Sequence, residues 1–306
     1  MKPTQLQLKI ANAPCSWGVL EFEEQSAAGY DYTRVLDEMR EAGYDGTELG
    51  DWGFMPTDPQ QLQEALAARS LELLGAFVPV RLADPAAYEA GEAAALRTAA
   101  LLKNAGFPDA FIVLADDIAA SPERTAAAGR VTEQLRLPEA ARTIFAANAE
   151  GVARAVRRAT GLRTVFHHHC ASYIETPEEI ADLMKRTDPD LLGLCLDTGH
   201  LTYAGGDPVA ASTEFGSRIW HLHLKDCSPE IAERARTSGW NYHDAVRHGV
   251  FCELGQGSVH FPAVLGALDR TGFSGWAVVE QDVLPSLGTP AASAIRNRNY
   301  IRSLGF

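Results

Sequence analysis

With 306 residues, 46% of them hydrophobic and 22% charged, the chain has the composition of an ordinary folded protein, which excludes extensive disorder. Its formal net charge of -13 repels phosphate backbones, and no Lys/Arg-rich stripe offsets that field locally, so a nucleic-acid partner is not expected. The opening MKPTQLQLKI lacks the apolar stretch of a signal segment, no apolar run reaches the roughly 18 residues of a membrane helix, and the five cysteines form no C-x-x-C pair, so the expectation is a cytoplasmic protein with reduced thiols and no membrane partner.

In chain order, short β-branched or apolar runs recur at 8–13, 46–50, 72–80, 109–115, 163–169, 192–197, 219–225 and 275–281, separated by longer helical patterns. The first such helical segment, 31–43, sets Val35, Leu36, Met39 and Ala42 at the spacing of an amphipathic stripe, with Asp37, Glu38 and Glu41 on its solvated face. Eight strands, each preceding a helix and uninterrupted by a linker, predict a single-domain (β/α)8 TIM barrel over 1–306 in preference to an open doubly wound sheet. No G-x-G-x-x-G follows the first strand, which removes the usual sign of a dinucleotide site. Two connections are long, 116–138 and 226–259, and in a barrel both belong to the catalytic face.

Barrel sites are built from the C-terminal ends of strands. Strand five closes with His167, His168 and His169 and soon reaches Glu175; strand six ends in Asp197, followed by Thr198, Gly199 and His200. Strand seven carries His221, His223, Lys225 and Asp226, and strand eight ends in Glu280, Gln281 and Asp282. Carboxylates and an imidazole arriving from neighbouring strands suit one divalent ion, Mn²⁺, Co²⁺, Mg²⁺ or Zn²⁺, with positions open for substrate oxygens. Residues two apart on a strand share a face, so His221, His223 and Lys225 point together. Asp197 alone could equally be the N-cap of the next helix. At least one of the three successive histidines must turn away, Cys195 reads as a small core residue, and His243, His248 and His260 are expected at the surface.

These segments resemble the xylose-isomerase-like barrel superfamily and, within it, the myo-inosose dehydratases. The resemblance is carried by HHHCASYIETPEEIADLMKRTDPDLLGLCLDTGHLTYAGGDP (167–208), HLHLKD (221–226), GVFCELGQGSVHFPAVLGAL (249–268) and GWAVVEQD (275–282). It implies that Asp197, His223 and Glu280 are metal ligands and that His200 lies beside the substrate. Many members place a glutamate where this chain has His167; the dehydratase-like pattern implies that Glu175 supplies the fourth ligand instead, leaving His167 to contact substrate. Trp17 and Glu48 look like further pocket residues. The segment APCSWGVLEFEE departs from the dehydratase pattern, keeping Trp17 and replacing the Asn and Asp residues after it.

The activity implied is proton transfer next to a carbonyl: loss of water from a keto-polyol such as 2-keto-myo-inositol through an enediolate. Lys225, His169 and His200 then fill the acid, base or substrate-orienting positions, with Lys225 lowered in pKa by the nearby cation. The alternatives are a ketose or sugar-phosphate isomerase or epimerase, with Glu175 and Glu280 as proton carriers, and a polyol-binding barrel without turnover. A phosphate handle calls for clustered Arg or a glycine-rich helix start, and Gly205, Gly206 and Arg81 are too sparse to make one. The implied partners are a polyol or sugar substrate and, as among similar enzymes, a second copy in a homodimer.

Overall fold

A computed structural model describes residues 6–18, 30–282 and 288–306. Its main sheet runs in the order β1 (Leu8–Asn12), β2 (Gly46–Glu48), β3 (Glu72–Val80), β4 (Phe111–Asp116), β5 (Arg163–His167), β6 (Leu192–Asp197), β7 (Ile219–Leu224) and, after a two-stranded ribbon of β8 (Asp226–Cys227) and β9 (Phe251–Cys252), β10 (Gly275–Val279). β10 pairs in parallel with both β7 and β1, which closes the barrel. All eight expected strands are present. Those expected at 8–13, 46–50, 163–169, 219–225 and 275–281 stop one, two, two, one and two residues early, so that His169, Lys225 and Glu280 lie just past the ladder at the mouth.

Helices cover the barrel wherever the sequence supplies a stripe and two caps. In α1 (Tyr32–Ala42) the Asp31 side chain accepts the Arg34 N–H, Gly43 closes the end at φ +88°, and Val35, Leu36, Met39 and Ala42 are all buried. Between the strands follow α2 (Pro59–Ala67), α3 (Tyr88–Asn104), α4 (Pro122–Ala127), α5 (Glu139–Thr160) and α6 (Pro177–Arg186). The first turn of α6 is set by a capping box in which Thr176 accepts from Glu179 N and the Glu179 side chain accepts from Thr176 N. No helix of the described residues is long and apolar enough to cross a membrane.

The two long connections are structured. Segment 116–138 contains α4 between two 3-10 turns, and its Arg124 is completely buried. The guanidinium makes a two-pronged pair with Glu179 at 2.8 Å on each side and donates through Nε to Ser172 O at 2.8 Å. After α7 (Thr198–Tyr203) and α8 (Pro208–Glu214), segment 226–259 holds α9 (Pro229–Ser238) and α10 (Tyr242–Arg247) between the ribbon strands; α11 (Phe261–Thr271) and α12 (Pro290–Ser303) complete the shell. The Asp226 carboxylate ties this segment down by accepting four backbone N–H groups, from Cys227, Gly255, Gly257 and Val259 at 2.8 to 3.0 Å. A Cβ on Gly257 would lie 2.3 Å from Asp226 Oδ1, which is why the loop carries glycine there.

Breaking the Arg124–Glu179 pair strands one charge in the interior. Arg124→Ala is expected to lower stability by about 3–5 kcal/mol, read by urea denaturation, and Arg124→Met with Glu179→Gln, which removes both charges and keeps an oxygen for the Glu175 and Thr176 N–H groups, is expected to recover part of the loss.

Candidate metal centre and active site

Four strands deliver four side chains to one point at the barrel mouth: His167 ends β5, Asp197 ends β6, His223 lies on β7 and Glu280 follows β10. One ligand atom from each lies within 4.8 Å of the other three. His167 Nε2 stands 3.6 Å from Asp197 Oδ2, and His223 Nδ1 stands 3.8 Å from the same oxygen and 3.3 Å from Glu280 Oε1. All four residues are buried, and His167 Nε2, Asp197 Oδ2 and His223 Nδ1 have no hydrogen-bond partner among the described residues. An unpaired buried polar atom costs about 1–3 kcal/mol, so three of them turned to one point fit a cation. Two imidazoles and two carboxylates form a nitrogen and oxygen set suited to a divalent metal.

The residues behind this quartet orient it. Asp197 serves twice, since Oδ1 accepts the His200 N–H at 2.8 Å as the cap of α7 while Oδ2 faces the quartet. Glu48 Oε1 accepts hydrogen bonds from His221 Nε2 at 2.6 Å and His223 Nε2 at 3.0 Å. That assigns the His223 proton to Nε2 and turns the Nδ1 lone pair toward the quartet, as outer carboxylates do for metal-binding imidazoles. Cys195 sits against His167 and His223, yet burial pushes its thiol up to about 12, and it packs with Phe111, Val113 and Val165 as a core residue.

A second set faces the same pocket, which encloses about 650 Å³ with its open mouth included. Lys225 Nζ lies 3.2 Å from Glu280 Oε2, 3.3 Å from Asp282 Oδ2, 3.3 Å from His200 Nε2 and 4.8 Å above the Phe251 ring. Burial pulls the Lys225 pKa down, but the carboxylates of Asp282 and Glu280 more than reverse this and, before the charge of any cation is counted, hold it above its ordinary value. The D-T-G-H segment forms a socket for this lysine: Thr198 Oγ1 donates to Lys225 O at 2.7 Å and accepts Lys225 N–H at 3.0 Å. A Cβ on Gly199 would lie 2.5 Å from Lys225 Cγ.

His169 Nδ1 donates to Cys170 O at 2.6 Å, leaving Nε2 toward the pocket, 3.3 Å from Tyr242 Oη. His200 Nδ1 accepts the Cys170 N–H at 3.4 Å. Burial pushes both imidazoles well below their ordinary value and keeps them neutral. His168 is the histidine that turns away, accepting the Asp197 N–H on Nε2 at 3.1 Å.

Several expectations need correction. Glu175 is not brought to the quartet: its Oε1 accepts the Gly129 N–H and its Oε2 the Ala171 N–H, both at 2.7 Å, and His167 stands in the fourth position. Burial raises the Glu175 carboxyl to about 7 even so. Trp17 does not line the pocket; its fully buried indole belongs to the core and donates its N–H to Glu38 Oε2 at 2.7 Å, which also takes Glu38 out of the solvated face of α1. His248 and His260 are exposed and His243 is half-buried. The replaced residues after Trp17 fall in 19–29, outside the described residues. Tyr242 and Asp282 were missed as pocket residues: Tyr242 had no signal beyond its place in a long connection of the catalytic face, and Asp282 stood two positions past a residue already singled out.

This barrel and its mouth define a class. The family pattern described as "Xylose isomerase-like TIM barrel" matches residues 36–304, and the chain belongs to that family of enzymes. Among relatives, the inosose dehydratase of Geobacillus thermodenitrificans (strain NG80-2) is 31% identical over 300 residues, covering 97% of each chain. The solved structure of an L-ribulose 3-epimerase aligns with a TM-score of 0.70 at 18% identity, over 97% of this chain and 94% of that one. A structure described as IolI protein with a binding zinc atom aligns at 0.67 and 17% identity, over 97% and 98%. These two likenesses establish the fold.

If Glu48 orients His223, Glu48→Gln is expected to weaken divalent-metal affinity about 10–100-fold while leaving the number of ions bound at saturation unchanged, as measured by competition with a chromogenic chelator.

Proposed function

We propose that the protein is a divalent-metal-dependent dehydratase that removes water from a keto-polyol of the inosose type. The observation that carries this reading is the meeting, in one pocket, of the buried unpaired quartet with the side chains of Lys225, His169 and His200. The full-length relative named inosose dehydratase supports the choice of substrate class.

A cation held by His167, Asp197, His223 and Glu280 would supply the Lewis acidity that makes the carbon next to the substrate carbonyl acidic. The chain's own groups then divide the protons. His169 has its Nδ1 proton held by Cys170 O, so its Nε2 lone pair is the base that takes the α-proton. Lys225, kept charged by Asp282 and Glu280, gives its proton to the β-hydroxyl as that C–O bond breaks, and water leaves. His200, whose Nδ1 accepts the Cys170 N–H, keeps its proton on Nε2 and donates it to a substrate oxygen in the pocket. The enol left behind becomes the second ketone of a dione, so the balance is one keto-polyol to one dione and one water. Tyr242 and Asp282 offer hydrogen-bonding groups to the remaining hydroxyls.

The epimerase alternative needs two proton carriers on opposite faces of the substrate. With Glu175 engaged by two backbone N–H groups, Glu280 is left without that partner, which favours elimination.

Incubation of the Mn²⁺- or Co²⁺-loaded protein with 2-keto-myo-inositol in D₂O, followed by absorbance and NMR, tests the reading: a conjugated dione is expected, and deuterium exchange without loss of water would contradict it. Lys225→Met is expected to lower kcat about 10²–10⁴-fold with metal content intact; unchanged kcat would remove Lys225 from the chemistry.

A further inference from the structure

The strongest unassigned feature is the peptide group between Cys170 and Ala171. Its carbonyl accepts the His169 Nδ1 proton at 2.6 Å, and its N–H donates to Glu175 Oε2 at 2.7 Å. One rigid plane therefore joins the Glu175 carboxylate to the pocket imidazole. Ala171 holds this plane at φ +73°, a left-handed conformation that costs an alanine a steric penalty glycine escapes. The same turn touches the second imidazole, since Cys170 N–H points to His200 Nδ1 and Cys170 Sγ to His200 O.

Glu175 is itself fixed from both sides. Its other oxygen accepts the Gly129 N–H from the connection that carries α4, and its own N–H donates to Glu179 Oε2, the carboxylate paired with Arg124. Ser172, next in the turn, is held by Arg124 through its carbonyl, and Tyr173 N–H by Asp116 Oδ2. The turn is pinned everywhere, and Glu175 is the group that pins the one plane facing the chemistry.

We infer that Glu175 is a positioning residue for His169, acting through the Cys170–Ala171 peptide. The carboxylate stabilises the left-handed turn, and by drawing on the N–H it strengthens the carbonyl opposite as an acceptor. That carbonyl keeps the His169 proton on Nδ1 and Nε2 free toward the pocket. The device does for a base, through a peptide, what a direct carboxylate does for the imidazole of a catalytic triad.

The inference rests on the dehydratase reading for its kinetic part only. Glu175→Gln offers one acceptor and turns an amide N–H₂ toward the other donor. It is expected to retain full metal content and to lose about 10- to 100-fold in kcat with little change in KM. Ala171→Gly alone is expected to be near wild type, and in the Glu175→Gln background to restore part of the lost kcat, because glycine holds the turn without the clamp. Glu175→Asp, which keeps the charge on a shorter arm, is expected to fall between, and it carries the comparison should the Gln variant fail to fold. Loss of metal in Glu175→Gln, an unchanged kcat, or no recovery on adding glycine would each overturn the inference. The His169 Nδ1 proton resonance in ¹⁵N-histidine-labelled protein reads the same bond without turnover. It is expected downfield in the wild type, shifted in Glu175→Gln and returned in the double variant; a resonance indifferent to Glu175 would also overturn the inference. If the wild type fails to convert the keto-polyol while the resonance behaves as expected, the substrate reading fails and the positioning role stands.

Discussion

The interaction on which the site depends is the hydrogen bond from His223 Nε2 to Glu48 Oε1. It crosses the barrel from β7 to β2 and fixes which nitrogen of His223 carries a proton, and thereby which nitrogen faces Asp197 and Glu280. Burying a carboxylate and two imidazoles together is costly unless each finds a partner, and Glu48, His221 and His223 satisfy one another on one side. On the other side the unpaired His167 Nε2, Asp197 Oδ2 and His223 Nδ1 remain, a combination that stability alone would select against.

The segments around this centre hold it in place. Asp226 gathers four backbone N–H groups and so sets the ribbon and α10, which bring Phe251 over Lys225 and Tyr242 to His169. Arg124 and Glu179 join the α4 connection to the start of α6, and the turn from His169 to Thr176 lies between them. Both anchors are charged groups with full sets of partners, which is the form in which buried charge is tolerated.

Much of this was legible in the sequence because period and punctuation report on backbone directly. The stripe of Val35, Leu36, Met39 and Ala42 and the cap residues Asp31 and Gly43 define α1 without reference to the rest of the chain. Asp197 and Glu280 were marked because each ends or follows an apolar strand, where a polar group has no packing reason to be, and His223 because it shares a strand face with His221 and Lys225; the family resemblance then joined the three as ligands. Glu175 and Trp17 were misplaced for the opposite reason. Nothing local says that Gly129, 46 residues before Glu175, donates to its carboxylate, or that Glu38 on α1 takes the Trp17 N–H. Residue type identifies a ligand candidate, and only the tertiary fold says whether its oxygens are already engaged. Tyr242 was missed for the same reason, since its value comes from the way Asp226 folds a long connection back over the mouth.

The claim that two imidazoles and two carboxylates hold the ion is tested most directly by X-ray absorption at the metal edge of the Zn²⁺- or Co²⁺-loaded protein. The account predicts a first shell of nitrogen and oxygen with outer scattering from two imidazoles. A single imidazole, as Glu175 in place of His167 would give, or a sulfur near 2.3 Å, as Cys195 would give, contradicts it.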